Sequence, residues 1–203
     1  MTRSRIMLGV VAVALIGLFW FLGEEEITNY PPQDGPIVAF GDSLIEGVGA
    51  TTGNDLVSLL SRRIGEPIIN LGISGNTTEM GFERIGEALE YTPRITLVLL
   101  GGNDYLRKVP IEETFYNLRG IIDALQDAGS VTVLLGVRGG LLSDRFDSYF
   151  EDLAQETGSV YVPDVLDGLI GDMRFMSDAI HPNDRGYARI AERVADALVP
   201  LIE

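Results

Sequence analysis

From residue 36 onwards the sequence alternates short apolar runs with longer amphipathic ones, and this alternation constrains the fold more than any other feature. It is typical of repeated βα units, in which helices cover both faces of a parallel sheet. It predicts five short strands, rich in β-branched or apolar residues, at 37–40, 67–71, 95–100, 131–137 and 160–162. It also predicts five helices, at 54–64, 78–89, 111–128, 143–157 and 183–202. We therefore predict an α/β fold, a three-layer α/β/α sandwich around a five-stranded parallel sheet.

The N-terminal segment departs from this pattern. Residues 6–22 carry no charge over 17 positions, and a helix of that length measures about 26 Å, at the short end of what crosses a bilayer. Arg3 and Arg5 precede the run and three Glu residues follow it, so the positive-inside rule places the N-terminus in the cytoplasm. We predict a membrane anchor at 1–23, with an N-terminal transmembrane helix at 6–22 and the remaining chain periplasmic or extracellular. Release of a secreted or periplasmic protein by signal cleavage is the alternative, disfavoured because residues 21–23 lack the small pair of a cleavage site.

Composition limits what the remainder can be. Residues 24–35 contain acids, a Pro-Pro pair and Gly, a composition typical of a linker, and we assign 36–203 to one globular domain. The chain has 30 acidic and 15 basic residues, one His and no Cys. So acidic a chain is a poor partner for nucleic acid. The lack of Cys excludes a disulfide framework, a thiolate zinc site and a thiol nucleophile.

Four polar segments follow predicted strands and should meet in space. Parallel strands joined by right-handed crossovers end at the same edge of the sheet. The segments after the first, second, third and fifth strands therefore share one crevice; they are 41–43, 74–76, 101–104 and 177–183. Open α/β sheets bind ligands in that crevice, and we predict the functional site there.

These segments contain the groups that acyl transfer needs. Ser43 alone would be read as a helix cap, but His181 is the one imidazole that could take its proton. Asp178 precedes His181 by three positions, a spacing that lets its carboxylate bind Nδ1 of the ring and leave Nε2 free. Gly75 offers a backbone N–H without a hindering Cβ, and Asn103 offers a side-chain amide. Together they supply a nucleophile, a base, an orienting acid and two donors to an oxyanion.

The sequence resembles the SGNH hydrolases, also called the GDSL lipase/esterase family. Four blocks in the family's order and spacing carry the resemblance: GDSL at 41–44, NLGISGNT at 70–77, LGGND at 100–104 and DAIHPN at 178–183. Within the family the chain is most similar to the bacterial branch of thioesterase I, lysophospholipase L1 and arylesterase.

The resemblance implies roles for individual residues. It implies Ser43 as nucleophile, His181 as base and Asp178 as the residue that orients the base. It also implies an oxyanion hole formed by the N–H groups of Ser43 and Gly75 and by the side chain of Asn103. The fold that it implies is a flavodoxin-like sheet of strand order 2-1-3-4-5.

We therefore expect a monomeric serine hydrolase that cleaves esters or thioesters of acyl chains, lysophospholipids among them, through an acyl-enzyme and without metal or cofactor. Tyr105, Leu106, Leu141 and Leu142 are candidates for an apolar acyl pocket, although such pairs are more often ordinary packing. Asp172 is the alternative orienting residue. Two other functions stay open. The same site could serve a carbohydrate O-acetylesterase or an acyltransferase, and the domain could be a membrane-tethered binding module without turnover.

Overall fold

A computed structural model describes residues 26–137 and 145–202 of the chain. One sheet contains five strands, β1 (Ile37–Gly41), β2 (Ile68–Gly72), β3 (Ile95–Leu99), β4 (Val131–Leu135) and β5 (Val160–Val162). Their order across the sheet is β2-β1-β3-β4-β5, and each neighbouring pair is parallel. The predicted sheet, its five strands and its flavodoxin-like order are confirmed.

Helices cover both faces of this sheet. In the described ranges they are α1 (Ser43–Glu46), α2 (Leu56–Ile64), α3 (Thr78–Glu83), α4 (Ile85–Leu89), α5 (Gly102–Arg107), α6 (Ile111–Asp127), α7 (Arg145–Thr157) and α8 (Asp184–Leu198), followed by a 3₁₀ turn at Val199–Leu201. The pair α2 and α8 packs together, and α3 and α7 both pack against α6. The helix predicted at 78–89 is divided at Arg84, and the sequence pattern did not predict α1 and α5.

Burial follows the sequence pattern from which the fold was predicted. Every residue of β1, β3 and β4 is buried, as expected for strands covered on two faces. Helix α6 buries Phe115, Leu118, Ile122 and Leu125, one face of a 3.6-residue period. The core therefore lies on both sides of the sheet and leaves the strand ends as the accessible edges.

The first residues that the structure describes contact the amino ends of β4 and β5. The N–H of Thr28 donates to the carbonyl oxygen of Gly158 at 3.0 Å, just before β5. The side-chain amide of Asn29 donates to the carbonyl oxygen of Ser130 at 3.1 Å, just before β4. Part of the predicted linker thus packs on the edge of the sheet opposite the four polar segments.

The predicted anchor at 1–23, with its helix at 6–22, lies outside the described residues. Within residues 26–137 and 145–202, no helix is both long enough and apolar enough to cross a membrane.

Candidate active site

Ser43 lies where the chain leaves β1 and begins α1. Asp42 caps this short helix, because its Oδ1 accepts the N–H of Leu44 at 3.0 Å. The close approach of β1 to β3 requires Gly at this point, because a Cβ at Gly41 would lie 2.4 Å from the carbonyl oxygen of Leu99. Ser43 is 8% exposed and stands at the carboxyl edge of the sheet, in the predicted crevice.

Ser43, His181 and Asp178 form a continuous hydrogen-bonded chain. The Oγ of Ser43 is 3.1 Å from Nε2 of His181, and Nδ1 of His181 is 2.7 Å from Oδ2 of Asp178. The other oxygen of Asp178 accepts the main-chain N–H groups of Ile180 and His181 at 2.9 and 2.8 Å. The bond to the His181 ring, followed by these two, lowers the pKa of Asp178 to about 2. An ionised Asp178 favours the tautomer with hydrogen on Nδ1, which leaves Nε2 free to accept the Ser43 proton.

Local contacts hold residues 177–182, the loop that carries the predicted base His181, which we term the base loop. The N–H and hydroxyl of Ser177 both donate to the carbonyl oxygen of His181, at 2.9 and 3.0 Å. At its end, Asn183 caps α8 with its side-chain oxygen and donates through Nδ2 to the carbonyl oxygen of Met176 at 3.2 Å. The base loop is therefore tied to itself and to the start of α8.

The alternative orienting residue, Asp172, bonds to another partner. Its carboxylate accepts the N–H, Nε and Nη2 of Arg174 at 2.5 to 3.0 Å. These bonds lower the pKa of Asp172 to about 2. It is thus Asp178, rather than Asp172, that contacts the imidazole in this structure.

Asn103 and the loop that carries Gly75 meet beside Asp42. The side-chain amide of Asn103, in α5, donates to the main-chain oxygen of Asn76 at 3.0 Å and to Oδ2 of Asp42 at 3.2 Å. Gly75 has a φ of 81°, in the left-handed region that Gly adopts without strain. Its carbonyl oxygen accepts Nη2 of Arg107 at 2.8 Å. The two predicted oxyanion donors are therefore carried on segments that contact each other.

Asp42 was predicted only as part of a motif, and its environment is unusual. It is 2% exposed, and burial raises its pKa to about 7. The Asp104 carboxylate also raises this pKa, whereas the Leu44 N–H, His181 and Asn103 oppose the rise. Asp42 therefore changes its charge near neutral pH, one residue before Ser43.

Sequence reasoning also missed the role of Asp104. This fully buried carboxylate accepts the N–H and hydroxyl of Thr78 at 2.9 and 2.5 Å, and the Thr114 hydroxyl at 3.4 Å. It thereby joins α5, which carries Asn103, to α3 and α6. The residue lies in the LGGND block, so the motif contained a signal, but nothing in its spacing identifies the partners.

A cavity of about 470 Å³ opens beside Ser43 and His181. Three aspartates, Asp42, Asp164 and Asp167, contribute to its wall. The apolar part of the wall consists of Leu44, Tyr105, Leu106, Val137, Leu166, Ile170, Ala179 and Ile180. Tyr105 and Leu106, two of the four predicted pocket residues, thus line this cavity. Leu141 and Leu142 lie outside the described residues.

Comparison with known proteins finds a matching family and similar enzymes. The model of the GDSL-like lipase/acylhydrolase family matches residues 39–189. An arylesterase of Vibrio mimicus is 32% identical over 175 residues, covering 80% of this chain and 88% of the relative. The thioesterase 1/protease 1/lysophospholipase L1 of Escherichia coli strain K12 is 29% identical, covering 82% of this chain and 84% of the relative. A crystal structure of TesA is 29% identical with a TM-score of 0.74, covering 82% of this chain and 99% of that one.

The chain therefore belongs to the GDSL-like lipase/acylhydrolase family. The family predicted from the four blocks is confirmed. So is the predicted class of enzyme, an SGNH-type hydrolase of carboxylic esters or thioesters.

Proposed function

We propose that this enzyme cleaves carboxylic esters or thioesters of acyl chains with Ser43 as nucleophile, His181 as base and Asp178 as the residue that orients the base. The observation that carries the proposal is the hydrogen-bonded chain of these three side chains, with links of 3.1 and 2.7 Å, beside an apolar cavity. Relatives named arylesterase and thioesterase 1/protease 1/lysophospholipase L1 support small acyl esters and thioesters as substrates.

The proposed reaction has two halves. In the first, His181 Nε2 takes the Ser43 proton as Oγ attacks the acyl carbon, and the carbonyl π electrons move to oxygen to form a tetrahedral oxyanion. His181 then protonates the departing alcohol or thiol, which leaves the acyl group as an ester on Ser43. In the second half, His181 deprotonates water as it attacks this ester, and then returns the proton to Oγ of Ser43 as the acyl–oxygen bond breaks and the carboxylic acid leaves. Asp178 stabilises the imidazolium formed in each half.

The oxyanion would be bound by the N–H groups of Ser43 and Gly75 and by the Asn103 amide. In the free enzyme the Asn103 amide donates to the Asn76 carbonyl and to Asp42. The bond to Asp42, at 3.2 Å, is the longer of the two, and we propose that the oxyanion takes this N–H. A proton on Asp42 would ease the exchange, since it removes a negative charge that repels the oxyanion.

The cavity beside Ser43 would receive the acyl chain. Tyr105 and Leu106 contribute apolar surface to it, whereas Asp164 and Asp167 place carboxylates in its wall. A carboxylate in the wall disfavours anionic groups on the substrate, so neutral or zwitterionic esters should be preferred. The contribution of Leu141 and Leu142 stays a prediction.

The test is hydrolysis of p-nitrophenyl esters from acetyl to palmitoyl by the full chain and its Ser43→Ala variant. We expect kcat to fall about a thousandfold or more in the variant, because only the oxyanion hole and binding would remain. Ser130→Ala is the matched control, since it removes a buried hydroxyl bonded to Thr96 at the opposite edge of the sheet. Wild-type turnover by Ser43→Ala would contradict the mechanism, and the chain-length profile would separate acetyl esters from longer acyl substrates.

Membrane attachment through residues 6–22 stays a proposal, as does the monomeric state. From Ser130, which binds Asn29, to Val137, in the cavity wall, the chain advances seven positions along β4 and just beyond it, about 23 Å if extended throughout. An anchored enzyme would therefore turn its active site away from the bilayer and take substrate from the aqueous phase. Retention of the chain in membranes washed with alkaline carbonate would support the anchor. A mature protein whose N-terminus begins after residue 22 would support cleavage instead.

A further inference from the structure

Arg84, between α3 and α4, extends its guanidinium into the space between the ends of β1 and β2. The side chain is 11% exposed. Its Nη2 donates to the carbonyl oxygens of Gly41 and Leu71 at 2.9 and 3.0 Å, one at the end of each strand. Its Cζ lies 4.1 Å from the centroid of the Phe40 ring, within the range of a cation–π contact. The guanidinium thus has a fixed position against buried strands.

A further contact reaches the loop that carries Gly75. The Nε of Arg84 donates to Oδ1 of Asn76 at 2.6 Å. The main-chain oxygen of Asn76 in turn accepts the side-chain amide of Asn103 at 3.0 Å. Since β1 leads directly into Ser43, one guanidinium contacts or indirectly supports the segments that carry all three proposed oxyanion donors.

The sheet itself has little need of this side chain. The carbonyl oxygen of Gly41 already accepts the N–H of Ile73 at 3.0 Å, so the bond from Arg84 is a second one to the same oxygen. Burial of the guanidinium is unfavourable and lowers the pKa of Arg84, an effect that Glu87 opposes. A buried cation that adds a second bond to an already satisfied strand carbonyl is better explained by what it aligns than by what it stabilises.

We propose that Arg84 is a positioning residue that sets the geometry of the oxyanion hole, an inference that rests on the proposed function. The planar guanidinium holds its five N–H bonds in fixed directions, so it fixes the distance between the segments it joins. Lys in its place would keep the charge but could not donate hydrogen bonds in the same fixed directions. A shift of about 1 Å in a donor is enough to cost up to about a hundredfold in rate.

The experiment compares Arg84→Met and Arg84→Lys with wild type in the full chain, using a short p-nitrophenyl ester. For Arg84→Met we expect kcat to fall about tenfold to a hundredfold with KM within about twofold, because the donors act on the transition state. Arg84→Lys should recover part of the loss. Arg94→Met is the matched control: Arg94 is also partly buried, but it pairs with Glu66 at the amino edge of the sheet, and its loss should leave kcat unchanged.

A second measurement separates positioning from stability. An alkyl boronic acid that adds to Ser43 forms a tetrahedral adduct, and its affinity should fall in Arg84→Met by the same factor as kcat. The affinity for an unreactive ether analogue of the substrate should not change. If Arg84→Met fails to fold, Arg84→Lys carries the same two measurements.

Two results would overturn the inference. One is a folded Arg84 variant with wild-type kcat, and the other is a loss of boronic acid affinity no larger than that of Arg94→Met. Ser43→Ala, assayed in parallel, distinguishes a failure of the role proposed for Arg84 from a failure of the proposed function. If Ser43→Ala is inactive while Arg84→Met turns over normally, only the role of Arg84 is wrong. If Ser43→Ala is active, the proposed function itself is wrong.

Discussion

Two aspartates border the same candidate site and carry opposite pKa shifts. Asp42, in the half that carries Ser43, is 2% exposed, and burial raises its pKa to about 7. Asp178, in the half that carries His181, has a side chain that is 54% exposed, and hydrogen bonds from His181 and Ile180 lower its pKa to about 2. Both side chains accept one or more main-chain N–H groups. The difference arises because burial dominates at Asp42, whereas the hydrogen bond from the His181 ring dominates at Asp178.

The two halves also differ in how they are held. In the half that carries Ser43, Asn103 binds Asn76 and Asp42, which are 27 and 61 positions away in sequence. In the half that carries His181, which we term the base half, Asp178 binds Ile180 and His181, only two and three positions away. The first half therefore depends on the packing of the whole sheet, whereas the second depends mainly on one turn. Four substitutions test this contrast, taken from the largest expected effect to the smallest.

Asp178→Asn should lower kcat about a thousandfold or more, because an amide no longer stabilises the imidazolium or selects its productive tautomer. Asp172→Asn is the matched control, since Asp172 is also an aspartate with its pKa held near 2, but by Arg174. Steady-state kinetics on a short ester measure both. Equal activity of the two variants would mean that Asp178 does not orient the base.

Asp42→Asn should stabilise the protein at and above neutral pH. A carboxyl whose folded pKa is raised from 3.8 to about 7 favours the folded state fully below pH 3.8, and this contribution is lost as pH rises to 7. The difference corresponds to at most about 4 kcal/mol above pH 7. Urea unfolding of wild type and variant at pH 4, 5.5 and 8 measures it, and wild type should lose more stability than the variant between pH 4 and pH 8.

In the base half, Asp178→Asn should change the stability measured by urea unfolding in the opposite direction. The lowered pKa of Asp178 contributes stability above pH 3.8, which is lost as pH falls through about 2. Asp178→Asn should therefore destabilise the protein at neutral pH, by an amount that solvent screening keeps small. If Asp42→Asn and Asp178→Asn changed the free energy of unfolding at neutral pH in the same direction, the contrast between the two halves would be wrong.

Asn103→Ala should lower kcat about a hundredfold to a thousandfold with KM little changed, as expected for loss of one oxyanion donor. The rate of labelling by a serine-directed phosphonate should fall in parallel, since that reaction also develops charge on oxygen. Asn117→Ala is the control: it removes a nearly buried Asn that donates to Thr78, without contact to the proposed donors. A rise in KM alone would assign Asn103 to substrate binding.

Asn183→Ala should have the smallest effect on kcat of the four, and it should cost about 1 kcal/mol of stability from loss of the α8 cap. Because Asn183 also binds the carbonyl oxygen of Met176 beside the base loop, we expect a several-fold loss of kcat as well. Asp55→Ala removes the corresponding cap of α2 and should cost similar stability without that loss. Thermal unfolding and ester kinetics compare Asn183→Ala with Asp55→Ala. Equal kcat values for these two variants would show that the base loop holds its geometry without Asn183.

The sequence alone was sufficient for the architecture. Strands such as β5, found at the predicted residues 160–162, and helices such as α6 are encoded by local apolar periodicity, which does not depend on distant residues. Helices α1 and α5, of four and six residues, are too short to show a period. The motif blocks identified the family, and their positions after the strands placed Ser43, Asn103 and His181 at one edge of the sheet.

Tertiary structure decided what those residues experience. The spacing favours Asp178 over Asp172 as the partner of His181, but it does not predict that Asp42 is buried while Asp178 is exposed. Arg84 looks like an exposed helical residue in the sequence, yet it lies between two strand ends. The physical reason is that periodicity reports the local preference of the chain. A pKa or a buried hydrogen bond depends instead on solvent exclusion and on distances between residues far apart in sequence, and these exist only in the folded molecule.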